Sequence, residues 1–427
     1  MIRFSAVLVL VTAVAAAPVA AQQADDALAH ARRLLESTIL IDGHNDLPWE
    51  IRRADSAPMD VAAYDLNTRT PGHTDLARLK EGLVGAQFWS VYVPGEVGDS
   101  GYARVQLEEI DIARRIVDRY PELVLALSAD DIVQAKRDGK IASLLGLEGG
   151  HVIENSLGAL RAYHALGARY LTLTHNVTTD WADAASDTAR HNGLSDFGRE
   201  VVREMNRLGM LVDLSHVSPA TMSDALDVTE SPVIFSHSSA RALTDHVRNV
   251  PDSILRRLPE NGGVVMVTFV PDFISQKRLD AAQKVNAEMS ARMPELEARL
   301  ASIADSTERR RVRRAMRDSV RASIPDATIG DVADHIEHVR DVAGVNHVGI
   351  GGDFDGIDTT PVGLEDVASY PRLFAELIRR GWSDADLKKL AGENVLRAMR
   401  AAEATAARLQ KEREPSTATI TVRGAAD

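Results

Sequence analysis

The sequence predicts an α/β fold, a (β/α)8 barrel of the TIM type, and three observations predict it. Short runs rich in apolar and β-branched residues recur eight times. A stretch of helical periodicity separates each from the next, and several of the runs are apolar throughout, as in VVMVTF and LVDLS. Such alternation belongs to βα units around a parallel sheet, and runs without polar alternation suit strands covered by helices on both faces. The runs are Thr38 to Asp42, Gly85 to Val93, Ala142 to Leu147, Tyr170 to Thr174, Leu211 to Leu214, Val233 to Ser236, Val264 to Phe269 and His347 to Gly351. A doubly wound open sheet would show the same alternation, but eight units favour closure into a barrel.

Ahead of the first strand, the N-terminus has one positive charge at Arg3, an apolar run from Ala6 to Ala17, and the small-residue ending Val19-Ala20-Ala21. Residues 1–21 therefore read as a signal peptide, and a periplasmic or secreted location is expected. The run is short for a membrane span, which makes a transmembrane anchor the weaker alternative. Residues 22–413 are expected to form one barrel domain. The chain has no cysteine, so disulfides and a lipidated cysteine are excluded and stability rests on the core. A net charge of −13 argues against nucleic acid or an anionic membrane as partner.

Between the seventh and eighth strands, about 275–327, the sequence is highly charged, with apolar residues at helical spacing, and predicts a helical insertion. Its run from Glu308 to Arg314 has the basic character of a nucleic-acid patch, but the acids around it favour a solvated helix face. Residues 414–427 are polar and are expected to be a disordered tail; they offer no hydrophobic segment for a glycolipid anchor.

Function is read from where the ionisable residues fall. The first strand runs into Gly43-His44-Asn45-Asp46, and alternation along a strand turns His44 and Asp46 to the same side. Alone, that triplet is equally a hydrogen-bonded pair. The third strand ends at Glu148, a carboxylate that burial makes costly without a partner, either a basic side chain or a metal. The fourth, fifth and sixth strands end at His175, His216 and His237, and the eighth at Asp353. The C-terminal strand ends form the active-site face of such barrels, so seven residues from six strands converge there. Imidazole and carboxylate without thiolate suit zinc, and the set exceeds the needs of one tetrahedral ion. Two ions sharing a bridging carboxylate are therefore expected.

The stretches IDGHNDLPW, GLEGGH, LTLTHN with WAD, VDLSHVS, IFSHSSARAL with RNVPD, GGDFDG and GLEDVASYP resemble the membrane dipeptidase (renal dipeptidase) family, peptidase family M19 of the amidohydrolase superfamily. They run from Ile41 to Pro371. The resemblance implies that His44, Asp46 and Glu148 hold one zinc and that Glu148, His216 and His237 hold the other. It further implies that His175 contacts substrate, that Arg248 grips the substrate's terminal carboxylate, and that Asp353 is the acid/base. The implied reaction is hydrolysis of a dipeptide by a metal-bridging hydroxide, with Asp353 passing a proton to the leaving amine. The family is often dimeric, so a homodimer is an expectation by analogy. From residues alone, Arg248 reads as a structural salt bridge. Three features depart from the family: the missing cysteines and lipid anchor, the helical insertion, and the loop VPGEVGDSGYARV.

Among the other histidines, His151 and His191 are candidates for the cleft wall, and His73, His164, His246, His335, His338 and His347 are expected at the surface or behind the site. Trp181 and Asp183 are candidates for shaping the pocket or for orienting a ligand from behind. Two rival readings share these residues: another hydrolysis on the same metal pair, of a lactone, β-lactam or phosphoester, and an exported binding protein without catalysis.

Overall fold

The computed structural model describes residues 17–303 and 305–420. Nine parallel strands make one sheet: β1 (Leu40–Asn45), β2 (Val84–Tyr92), β3 (Leu123–Leu125), β4 (Ile141–Glu148), β5 (Ala168–Thr172), β6 (Leu211–Asp213), β7 (Ile234–Phe235), β8 (Val264–Val267) and β9 (Val348–Ile350). Eight of them close into a barrel in the order β1, β2, β4, β5, β6, β7, β8, β9 and back to β1. Closure comes from β2 lying along β4, from Ala86 opposite Ala142 to Tyr92 opposite Glu148. This is the predicted (β/α)8 barrel, and each of the eight predicted runs overlaps one of its strands.

β3 is the strand that periodicity did not predict. It pairs with Ile141 to Ser143, on the edge of β4 that β5 takes over from Leu145 onward, and so lies outside the barrel. Three residues are too few to show a period.

The apolar runs are continuous because consecutive residues serve two cores. Ile41, Leu144, Tyr170, Leu211, Ile234 and Val264 belong to one cluster, which Val395, Met399 and Ala402 of the last helix, Asn394–Glu412, complete. Their strand neighbours Leu40, Leu145, Leu171, Val212, Phe235 and Val265 belong to a larger cluster shared with helix residues such as Ile112, Ile116 and Val201. Each such aliphatic side chain removed from water contributes about 1.5–3 kcal/mol. Local signals set the helix ends. In Asp196–Leu208, the Ser195 hydroxyl accepts from the Gly198 N–H at the start, and Gly209 ends the helix in the left-handed conformation at φ 78°.

Between β8 and β9 stand the helices Gln276–Ala301 and Ser306–Ala322, where the insertion was expected. Arg311 on the second pairs with Glu308 at 2.9 Å. Among the described residues no helix is long and apolar enough to cross a membrane. Of the expected signal peptide, residues 1–16 lie outside the described residues, and Ala17–Ser37 is a helix. Of the expected tail, residues 421–427 lie outside the described residues. Residues 414–420 have no regular structure but touch the body, the Ser416 N–H donating to Glu204 Oε2 at 3.2 Å and its hydroxyl to Glu200 Oε2 at 3.1 Å.

Candidate metal centre

All seven residues expected at the strand ends meet at one end of the barrel. His44 is the penultimate residue of β1, and Asp46 precedes the helix Leu47–Arg52 without its side chain capping it, so the carboxylate is free to face the site. Glu148 ends β4, and Gly149 at φ 109° turns the chain away in a conformation that glycine alone adopts readily. His216 and Asp353, just beyond β6 and β9, hold the left-handed conformation at φ 68° and 62°. Non-glycine residues carry strain there, and such strain gathers where a side chain must be aimed.

Glu148 divides its two oxygens. Oε2 lies 3.4 Å from His44 Nε2, while Oε1 lies 3.0 Å from His216 Nε2, 3.4 Å from His237 Nε2 and 3.9 Å from His175 Nε2. On the Oε2 side, His44 Nε2 is also 3.2 Å from Asp46 Oδ2 and 3.9 Å from Asp353 Oδ1. Three groups of potential metal ligands overlap here: His44, Glu148 and His237; Glu148, His175 and His216; and His44, Asp46 and Asp353. His237 touches both sides, since its ring lies 3.8 Å from that of His44 while its Nε2 is 2.8 Å from His216 Nε2.

Hydrogen bonds behind the rings fix which nitrogen faces inward. Asn176 Oδ1 accepts from His216 Nδ1 at 3.2 Å. Tyr170 donates its hydroxyl to Gly43 O at 3.3 Å and so accepts from His44 Nδ1 at 2.9 Å. Tyr170 reaches His44 because Gly146 lacks a side chain: a Cβ there would lie 1.9 Å from the Tyr170 ring. Ser236 donates to Asp213 Oδ2 at 2.6 Å and accepts from His237 Nδ1 at 2.8 Å. With Nδ1 protonated on His216 and His237, Nε2 of each presents a lone pair inward. Two such lone pairs 2.8 Å apart, facing a carboxylate oxygen, repel unless a cation lies among them. The donors therefore fit a metal ion, and their chemistry suits zinc.

Burial opposes protonation of His44, but Tyr170, Glu148 and Asp46 beside it outweigh burial and hold it well above the usual imidazole range. Burial, joined by Arg248 and His175 at His216 and by His44, His216 and Arg248 at His237, holds both well below the usual imidazole range and so keeps them neutral. Burial works against ionisation of Glu148, but His44 and His216 overcome it and hold the carboxyl well below its usual range. Asp353 is pushed well above the ordinary carboxylate value by burial and by the Asp46 and Glu148 carboxylates. Behind His44 lies the fully buried Asp42. It accepts from the His44 N–H at 2.9 Å and Gln87 Nε2 at 2.8 Å on one oxygen, and from the Gly352 N–H and the Tyr370 hydroxyl at 2.7 Å each on the other.

The centre lies in a cavity of about 610 Å³ whose lining includes Trp49, Tyr92, His175, Arg248, Val270 and Phe273. Arg248 is 3% exposed, lies over the Phe273 ring at 5.5 Å, and has Ser238 Oγ and the His237 carbonyl as partners at 3.5 and 3.4 Å. Among the described residues no carboxylate lies within ion-pair distance of it, so the structural salt bridge is absent. His246 lines the cavity too, stacked 4.2 Å from Phe273, contrary to its expected place behind the site. His151 lies in a neighbouring pocket with Tyr102, and His191 bonds to the Thr179 carbonyl. Trp181 is fully buried and Asp183 clamps the 190–193 turn, so neither lines the cavity.

The braces Asp42, Tyr170, Asn176, Asp213 and Ser236 were not singled out from sequence. Asp42, Asn176, Asp213 and Ser236 do stand in the same motifs as the site histidines, in IDGHND, LTLTHN, VDLSH and IFSH, which is the one signal that points to them.

The family model for membrane dipeptidase, peptidase family M19, matches residues 28–413. Among solved structures, the chain is similar to the probable dipeptidase PvdM from Pseudomonas aeruginosa, with 24% identity over 89% of this chain and 99% of that one and a TM-score of 0.76. It is also similar to a dipeptidase of family M19, with 25% identity over 86% and 98% of the two chains and a TM-score of 0.67. A third is a metallopeptidase from Rhodobacter sphaeroides liganded with a phosphinate mimic of the dipeptide L-Ala-D-Ala, with 24% identity over 86% and 99% and a TM-score of 0.68.

Proposed function

The chain belongs to the membrane dipeptidase family, peptidase family M19, and from that premise we propose that it hydrolyses dipeptides with two zinc ions. By the resemblance to the family, His44 with Asp46, and His216 with His237, would hold one ion each, and Glu148, whose two oxygens face the two sides, would serve both. When bound, such a pair polarises an amide carbonyl and acidifies a water toward neutrality.

The chain's own residues supply the rest. Asp353, as the ionised carboxylate, takes a proton from the attacking water and then delivers it to the leaving amine. His175, half-buried beside Glu148, faces the scissile carbonyl and supports charge on its oxygen. Arg248 offers a planar fork to the substrate's terminal carboxylate, which limits substrates to those ending one residue past the scissile bond. Residues 1–21 would direct export, and the mature chain would act in the periplasm or outside the cell.

Arg248 is the observation that carries this reading. A buried guanidinium with no carboxylate within ion-pair distance among the described residues, in one cavity with a cluster of candidate metal-binding groups, calls for an anion from outside. The substrate mimic in the Rhodobacter sphaeroides relative makes a D-residue at the carboxyl end one to try. The test is metal analysis of the purified protein together with an assay of L,L and L,D dipeptides. Two zinc equivalents, loss of turnover on chelation and recovery on zinc addition are expected; metal-loaded protein that hydrolyses no dipeptide overturns the proposal.

A further inference from the structure

Three imidazoles in the centre have a partner on Nδ1, and the partners are not alike. Behind His44 is a phenol resting on a backbone carbonyl, and behind His216 is the neutral amide of Asn176. Behind His237 is a serine resting on a carboxylate. Asp213 is fully buried, and four donors converge on it: the Ser215 and Ser236 N–H groups on Oδ1 at 3.1 and 2.8 Å, and the Thr172 and Ser236 hydroxyls on Oδ2 at 2.5 and 2.6 Å.

The Ser236 hydroxyl has one proton. It goes to Asp213, so the 2.8 Å contact with His237 Nδ1 runs the other way, the ring donating to the serine oxygen. That leaves the His237 lone pair on Nε2, 3.4 Å from Glu148 Oε1. Asp213 reaches the His237 backbone as well, since the Ser215 hydroxyl that accepts from the His237 N–H at 3.0 Å stands on a residue whose own N–H is tied to Asp213. Among the described residues no Lys, Arg or His side chain lies within ion-pair distance of Asp213.

Direct carboxylates are shared unequally between the two halves. His44 has Asp46 and, at 3.9 Å, Asp353 as well as Glu148, whereas among the described residues His216 and His237 have Glu148 alone within ion-pair distance. Building on the two-ion reading above, we propose that Asp213 is a positioning residue for the ion held by His216 and His237. Through Ser236 it locks His237 in the metal-binding tautomer and lends that half the carboxylate that Asp46 gives the other directly. A carboxylate behind a ligating histidine raises the ring's basicity, and its removal weakens metal binding by about 10- to 100-fold.

The experiment is a zinc titration of the stripped protein against a chromophoric chelator, which resolves the two binding steps, with a thermal melt of each metal-free variant. Wild type is expected to bind two ions. Ser236→Ala and Asp213→Asn are each expected to weaken one step by about 10- to 100-fold and leave the other unchanged. The links act in series, so the double variant should bind no more weakly than the weaker single. Ser236→Ala removes only a hydroxyl and decides the matter should Asp213→Asn fail to fold. A folded Ser236→Ala protein with both steps intact, or with both weakened alike, overturns the proposal while the two-ion reading stands. Wild-type protein that binds fewer than two ions overturns that reading, and this inference with it.

Discussion

The phenol of Tyr170 accepts from His44 Nδ1 at 2.9 Å and donates to the carbonyl of Gly43, the residue just before that histidine. One side chain on β5 thus holds both the ring and the backbone of a strand end on the far side of the barrel. Tyr170→Phe keeps the ring packed against Gly146 and removes only this link. Zinc affinity should fall by about 10- to 100-fold, and the folded state should lose about 1 kcal/mol. Chelator competition and denaturant unfolding would show both; unchanged affinity would remove Tyr170 from the support of the centre.

Asp353→Asn tests the proton transfer. The amide retains the shape of the side chain but cannot take up and release a proton at neutral pH. Turnover should drop by about 10²- to 10⁴-fold, while zinc content, which the proposal assigns to other residues, stays at the wild-type value. Loss of zinc alongside activity would make Asp353 a ligand, in keeping with its place near His44 and Asp46.

Arg248→Ala tests carboxylate recognition. Wild type should cleave a dipeptide far better than the same dipeptide with an amidated C-terminus. Losing hydrogen bonds to a charged group costs about 1.5–3 kcal/mol, or roughly 10- to 100-fold in kcat/KM. The variant should suffer this loss on the free acid and little on the amide, so that its preference disappears. A variant that still prefers the free acid would place carboxylate recognition elsewhere.

Glu109 makes stability depend on pH. It is fully buried in the helix Tyr102–Arg119, with Arg52 at 3.2 Å on one oxygen and no hydrogen-bond partner on the other. Burial raises its carboxyl from an ordinary 4.5 to about 8, the nearby Arg52 offsetting only part of the rise. Between those values the native chain keeps a proton that the unfolded chain releases, so stability falls as pH rises from 4.5 toward 8. The contribution is complete below the lower value. Glu109→Gln should lack this slope, and its stability relative to wild type should increase steadily across the window. Parallel stability curves for the two proteins would show that Glu109 does not titrate there.

The fold was legible because a parallel barrel writes itself in long apolar runs. Those runs stay continuous where neighbours such as Leu144 and Leu145 face two different cores. The side chains that meet at the centre were legible because each stands at the end of a run, where a polar residue stands out against its surroundings. Their braces were hidden for the opposite reason. Tyr170 sits inside an apolar strand and looks like core, and only the third dimension puts its hydroxyl beside His44, 126 positions away. The cavity wall was hidden as well, since His246 and Phe273 meet through loops whose paths local sequence does not dictate.

Glu148 has an evolutionary consequence. Its two oxygens face different partners, so a replacement at position 148 disturbs both halves of the centre in a single step. Changes at Asp46 or His216 begin on one half and leave a remnant on which selection can act. If the centre holds two ions as proposed, mutational routes toward a one-ion relative open at the flanking strands, and the end of β4 should be the last position along them to change.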